Sequence, residues 1–211
     1  MFVATLETLY MTLITTLFAY AVGMPLGFIL ILTQKRGLMP QPKVHGILSL
    51  IINFLRSIPF IILLILVLSV TRFLVGTTIG STAMIVPLSI AAFPFVARMV
   101  ESSLKEVDAG LVEAVKAMGA TNFQILKEVY FKEAMPSMLN NLAIALTTIL
   151  GYSAMAGFVG GGGLGSVAIN YGYYRNSLPD MIPAVIILIL LVQVFQDIPT
   201  RIAKKINRRK S

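Results

Sequence analysis

The chain has no cysteine and a single histidine, His45. Without thiols there is neither a disulfide framework nor a thiolate metal site, and cysteine usage gives no reading of the redox compartment. One imidazole and no His-Glu-x-x-His element leave no metal-hydrolase constellation, and no serine stands in a strand-turn-helix nucleophile setting. Charge is scarce as well. Only 12% of the 211 residues are Asp, Glu, Lys or Arg, against roughly 25% in a soluble domain. The long apolar runs contain no carboxylate, so an ion-driven secondary transporter lacks its proton relay. An enzyme is not expected, and no cofactor is expected on this chain.

Apolar residues take up the remainder: 57% of the chain is hydrophobic, which places it in a bilayer. A helix needs about 20 apolar residues to cross the hydrocarbon core. Five runs meet or approach this, near Thr8 to Leu32, Ile47 to Val70, Thr78 to Val100, Met138 to Phe158 and Met181 to Phe195, the last extending a turn or two. The first lacks a basic leader and is too long for a signal-peptide core, so it is expected to stay as a span. Pro25, Pro87 and Pro94 fall inside runs, where kinks are expected. The fold class is therefore an all-α integral membrane protein of about five transmembrane helices, one domain over 1–211 with its core at about 8–200 and a basic tail at 201–211.

Basic residues fix an expected orientation. Lys35, Arg36 and Lys43 follow the first run; Arg98, Lys105, Lys116, Lys127 and Lys132 follow the third; Arg201, Lys204, Lys205, Arg208, Arg209 and Lys210 form the tail. The alternate connections hold only Arg72 and Arg175, and Glu7 is the sole charge before the first span. The N-terminus is thus expected outside and the C-terminus in the cytoplasm. The net charge of +8 reads as orientation and attraction to membrane lipid. Nucleic acid is not an expected partner, because the basic residues are not interleaved with aromatics on a soluble face.

The second run is striped. Val44, Ile47, Leu48, Ile51, Ile52 and Leu55 make one face, and His45, Ser49, Asn53 and Arg56 the other. The favoured reading turns the polar stripe toward the bundle interior; the alternative keeps this helix at the cytoplasmic interface and starts the crossing near Pro59. Arg56 is expected to hold a structural contact before it touches any cargo, and His45 to be an interfacial polar residue. After the fourth run, Gly160, Gly162 and Gly165 have a dinucleotide-type spacing, but no strand precedes them and no acidic partner follows. A flexible or tightly packed turn at the outer end of the span is expected instead. Gly23 and Gly27 in the first run permit close helix approach.

Between the third and fourth runs lies a charged, helix-patterned segment, 104–135. Leu104, Val107, Leu111, Val115 and Met118 recur every three or four positions, with Glu106, Asp108, Glu113 and Lys116 largely off that face. Asp108 is a candidate N-cap, Gly119 a stop, and Thr121 with Gln124 a capping box that starts a second helix. The series Glu113-Ala114-Val115, Gly119, Val129 resembles the cytoplasmic coupling motif of ABC-importer permeases, a helical pair that docks into a groove on the ATPase subunit. Phe131 stands where leucine is common in that family and Lys132 where proline is typical.

The wider segments Arg56-Ser-Ile-Pro-Phe, Phe93-Pro-Phe-Val-Ala-Arg98, Ala117-Met-Gly-Ala-Thr121, Gly151-Tyr-Ser-Ala-Met-Ala-Gly157 and Tyr171-Gly-Tyr173 are similar to the methionine-importer branch. The resemblance implies a permease subunit that moves D- or L-methionine or a close analogue across a bacterial cytoplasmic membrane. Its implied partners are a separate ABC ATPase that holds the ATP, an extracytoplasmic substrate-binding protein, and a second copy of itself. Asp108, Glu113, Ala114, Gly119, Ala120 and Thr121 are the implied coupling residues. Asn53, Arg56, Tyr152, Ser153 and Met155 are candidates for the translocation path, because they mix polar with soft apolar groups. Two alternatives stay open: the same machinery with another amino acid or small metabolite as cargo, and a channel or scaffold without an ATPase.

Overall fold

In the computed structural model the described residues are 1–207, and they carry helices and no strands. The tail residues Arg208, Arg209 and Lys210 lie outside them. The helices are α1 (Phe2–Thr33), α2 (Pro42–Ser57), α3 (Phe60–Val75), α4 (Ser81–Lys105), α5 (Ala109–Ala117), α6 (Asn122–Gln124), α7 (Phe131–Ala156), α8 (Gly163–Ile169) and α9 (Leu178–Asn207). A π-helical turn, Ile125–Tyr130, joins α6 to α7 without a break.

Among the described residues, four helical stretches are long and apolar enough to cross a membrane: α1, α4, the continuous Asn122–Val159 and α9. The pair α2 and α3 is long and apolar enough together, but is bent by 105°, as a broken span or a re-entrant loop is. The break in the helix is local. Pro59 has no N–H to donate and excludes the helical conformation at Ile58, which sits extended at φ −80°, ψ 123°. At about 1.5 Å per residue, the 16 residues of α3 rise about 24 Å, most of a hydrocarbon core.

Helices α1 and α4 form the most extensive pairing in the molecule. They run parallel, because Gly23 faces Phe93 and Val96 while Gly27 faces Ala97 and Val100. A Cβ at Gly27 would lie 2.7 Å from Val100 and 2.8 Å from the Ala97 carbonyl, so only glycine lets the backbones approach this closely. Hydroxyls of Thr8, Thr12 and Thr16 on the buried side of α1 each donate to the carbonyl four residues back, so they add no unsatisfied polar group to the core. Pro25, Pro87 and Pro94 all lie inside helices that continue past them.

One end of the bundle gathers the α1–α2 connection, the α4–α7 segment and the end of α9, since Asn207 lines a polar cavity with Glu106 and Asp108. The opposite end is tied together by the glycine-rich turn. There the Gly163 N–H donates to Glu7 at 2.7 Å, the Leu164 N–H to the Thr8 hydroxyl at 2.8 Å, and the Gly80 N–H to the Gly160 carbonyl at 2.9 Å. The turn is packed, as its small residues suggest: a Cβ at Gly161 would meet the Ala156 carbonyl at 2.7 Å.

Candidate functional site

The segment after α4 is built by three local devices. Glu106 and Val107 close the helix by donating back to Ser103 and Leu104. Asp108 then starts α5, its carboxylate accepting from the Leu111 N–H at 3.0 Å. Gly119 ends the element in the left-handed region at φ +86°, a conformation glycine adopts without steric cost. Thr121 and Gln124 form the reciprocal box: Thr121 N–H donates to the Gln124 side chain at 2.8 Å and Gln124 N–H to the Thr121 hydroxyl at 3.3 Å.

The apolar face drawn from Leu104 through Met118 treats the segment as one helix, but Leu104 belongs to α4 and the break at Glu106–Asp108 resets the phase. Val112 is therefore the buried residue of α5, Val115 is half-buried, Leu111 is exposed, and Met118 is 77% exposed at the turn. The second helix is not a separate element either. It runs from Asn122 through Lys132 into the fourth span, because no proline stops it there.

The resulting hairpin is anchored on one side and open on the other. Val112, Ile125, Val129 and Tyr130 belong to one buried cluster with Ile31 of α1 and Val100 and Leu104 of α4. Ala120 packs against this cluster. Outward stand Glu113, Ala114, Lys116, Met118 and Phe123, the last 71% exposed. Phe123 was not singled out in the sequence, although a large apolar residue two positions after the capping Thr121 and off the Ile125 and Val129 face carries the signal. An apolar pair flanking a rigid turn, with charges of both signs beside it, suits a protein groove better than water.

The path candidates divide. Asn53 is occupied: its side-chain oxygen accepts from Arg98 at 3.0 Å, and Arg98 also donates to the Ser49 carbonyl at 3.2 Å. His45 meets the Leu30 carbonyl through Nδ1 at 3.1 Å. Part of the polar stripe of α2 thus faces the bundle, while Val44, Ile47, Leu50, Ile51 and Phe54 are exposed. The helix ends at Ser57 and α3 follows Pro59, the position at which the alternative reading starts the crossing. Ser153 is buried and donates to the Leu150 carbonyl at 2.7 Å, which is helix packing. Met155 is exposed on α7.

Arg56 and Tyr152 do come together. With Leu55, Phe60, Ala91 and Phe95 they line a cavity of about 140 Å³. The Tyr152 ring lies flat on Phe60, 4.3 Å between centroids and 6° from parallel. Against the expectation of a structural contact, Arg56 makes no hydrogen bond or ion pair among the described residues. Arg56 is exposed, in the last turn of α2. Elsewhere, an apolar groove of about 410 Å³ between α1 and α7, lined by Leu13, Leu17, Met24, Met135 and Leu139, offers a zwitterion almost nothing to bond. Among the described residues no cluster of His, Asp or Glu has the makings of a metal site.

Comparison with known proteins agrees with this architecture. Residues 23–210 match the family described as binding-protein-dependent transport system inner membrane component. The chain is 50% identical over 206 residues to a probable D-methionine transport system permease protein MetI of Haemophilus influenzae, covering 98% of this chain and 97% of that one. It is 47% identical over 151 residues to the D-methionine transport system permease protein MetI of Escherichia coli, covering 72% and 70%. Its fold superposes with TM-score 0.93 and 44% identity on a chain of the MetNI methionine ABC transporter in an inward-facing conformation, over 95% of this chain and 93% of that one.

Proposed function

The chain belongs to the family of inner membrane components of binding-protein-dependent transport systems, and from that premise we propose that it is the permease of an ATP-driven importer whose cargo is methionine, D or L, or a close analogue. The observation that carries this reading is the hairpin: a capped short helix, a left-handed glycine and exposed Met118 and Phe123 stand out from one end of a bundle whose core continues directly into their buried side. A channel or scaffold has no use for such a projection. Its partner is a separate ATPase subunit, docked over Asp108, Glu113, Ala114, Gly119, Ala120 and Thr121.

Five crossings enclose little space alone, so the working permease is a pair of these chains, supplied at the opposite end by a substrate-binding protein. The orientation follows from charge. The hairpin end gathers Lys35, Arg36, Lys43, Lys105, Lys116, Lys127 and Lys205, whereas Arg72 and Arg175 lie toward the other. Positive residues favour the cytoplasmic side, which puts the N-terminus outside and the hairpin where ATP is.

Liposomes carrying the permease, its ATPase and the binding protein should take up methionine only with ATP. ATP-driven uptake of a different small metabolite, with none of methionine, replaces the cargo. Uptake that needs no ATPase, by a permease that copurifies with none, returns the channel reading.

A further inference from the structure

We propose that Arg98 makes α2 follow the coupling hairpin, as a positioning residue through which ATP-driven motion reaches the Pro59 break. The inference rests on the importer reading above and names a side chain that carries its coupling beyond the hairpin. Hairpin motion meets α4 first, because Val112, Ile125 and Val129 pack with Val100 and Leu104 in its last turns. Arg98, Glu101 and Lys105 occupy another face of those turns. The apolar hold on α2 is small. Among the described residues of α2, Ile52 alone is buried, in a cluster with Leu30 and Ala97. Val44, Ile47, Leu50, Ile51 and Phe54 are exposed, and His45 reaches α1 at the Leu30 carbonyl. Apolar contact is non-directional, so a patch of this size lets α2 slip or turn on α4. Directional bonds resist both.

Arg98 supplies them. The buried Glu101 accepts from one terminal nitrogen of the guanidinium at 2.6 Å. The other terminal nitrogen donates to the Ser49 carbonyl at 3.2 Å and to the Asn53 side chain at 3.0 Å. Those two acceptors lie one turn apart on α2, so the fork fixes the rotation and the register of that helix together. A lysine presents one point charge on a flexible stem and cannot reproduce this planar division between two helices. Beyond the break, α2 leads into α3, whose first residue Phe60 stacks on Tyr152 of α7. Displacement of α2 thereby passes to the packing between α3 and α7.

The readout is methionine imported per ATP hydrolysed, in liposomes carrying the permease, its ATPase and the binding protein. A purely structural loss removes both activities together and leaves this ratio unchanged. With Asn53→Cys and Arg98→Cys combined in this naturally cysteine-free chain, the ratio should fall about tenfold. Bridging the two thiols with a bifunctional methanethiosulfonate should return it to within about threefold of wild type, and a monofunctional reagent of the same length should not. An unchanged ratio before bridging, a ratio that bridging leaves low, or equal recovery with the monofunctional reagent overturns the assignment. If the double variant fails to assemble, Asn53→Ala decides, because Asn53 is exposed and its loss keeps the buried Arg98–Glu101 pair. Its ratio should fall about threefold or more, whereas Asn53→Asp, a stronger acceptor for a guanidinium, should hold the wild-type value. Equal ratios for Asn53→Ala and wild type overturn the assignment too. A wild-type complex that hydrolyses ATP but imports no methionine overturns the proposed function instead, so the two failures are separable.

Discussion

The carboxylate of Glu101, 2% exposed on α4, accepts a 2.6 Å bond from the guanidinium of Arg98 one turn earlier. Lys105 donates to its other oxygen at 2.6 Å, and Arg98 reaches across to Ser49 and Asn53 of α2. One buried anion therefore orients the arginine that fastens α2 to α4 just above the hairpin. Breaking a buried pair by removing one partner costs about 3–5 kcal/mol. Glu101→Ala should accordingly lower the melting temperature of the purified permease sharply, and Glu101→Gln, which keeps an acceptor, less so. Equal melting of Glu101→Ala and wild type would show that the pair contributes nothing to folding.

Two glycines should respond in opposite directions. Gly27→Ala drives a methyl group into Val100 and the Ala97 carbonyl, an overpacked contact worth about 1–3 kcal/mol. Gly46, in the interior of α2, has open space around its Cβ position, and Gly46→Ala should stabilise by about 0.5–1 kcal/mol through helix propensity. Thermal unfolding of both variants in the same detergent checks the pair. A Gly27→Ala variant at least as stable as wild type would contradict the α1–α4 packing described above.

Much of this was legible in the sequence because it is local chemistry. Asp108, Gly119 and the Thr121–Gln124 box are decided by backbone groups within four residues, and all three form as read. The phase of α5 was not, because the break at Glu106–Asp108 carries no proline or glycine, and a continuous period through Leu104 to Met118 fits the letters equally well. The Pro59 bend was legible as a possible start of a crossing, but a 105° turn depends on Ile52 and Leu48 packing against Leu30 and Ala97. Arg56 and Tyr152 line one cavity although they are far apart in the chain, and no local rule reports it.

Gly119 should be the least replaceable residue of the hairpin for transport and among the more replaceable for folding. Its φ of +86° strains a β-branched residue, yet nothing lies within 4 Å of its Cβ position. Gly119→Val must therefore either carry about 1–3 kcal/mol of backbone strain or re-form the turn, which tilts Met118 and Phe123 out of register. The expected result is a variant that inserts and pairs normally while ATP-driven uptake falls at least about tenfold, the effect of losing about 1.4 kcal/mol of coupling. Uptake at the wild-type rate would remove the turn from the coupling contact.

The buried side of the hairpin predicts how motion passes through it. Val112, Ile125 and Val129 share a cluster with Val100, Leu104 and Ile31, and close-packed clusters shift as units. When ATP draws two ATPases together, the hairpins of two permease copies should therefore move with them and carry α1, α4 and α7 along. Nucleotide shifts such an equilibrium only by its differential affinity for the two arrangements, and inverting a 1:99 population takes about 5.5 kcal/mol. Two ATP molecules bound across a closing interface supply energy of that order. Ala120 is packed against the cluster, so a spin label there would disturb it; Lys127 is exposed on the same rigid stretch. Labels on Lys127→Cys in both copies should approach each other when non-hydrolysable nucleotide saturates the assembled complex. If the ATPases close and the distance between the labels does not change, the hairpin does not transmit the motion.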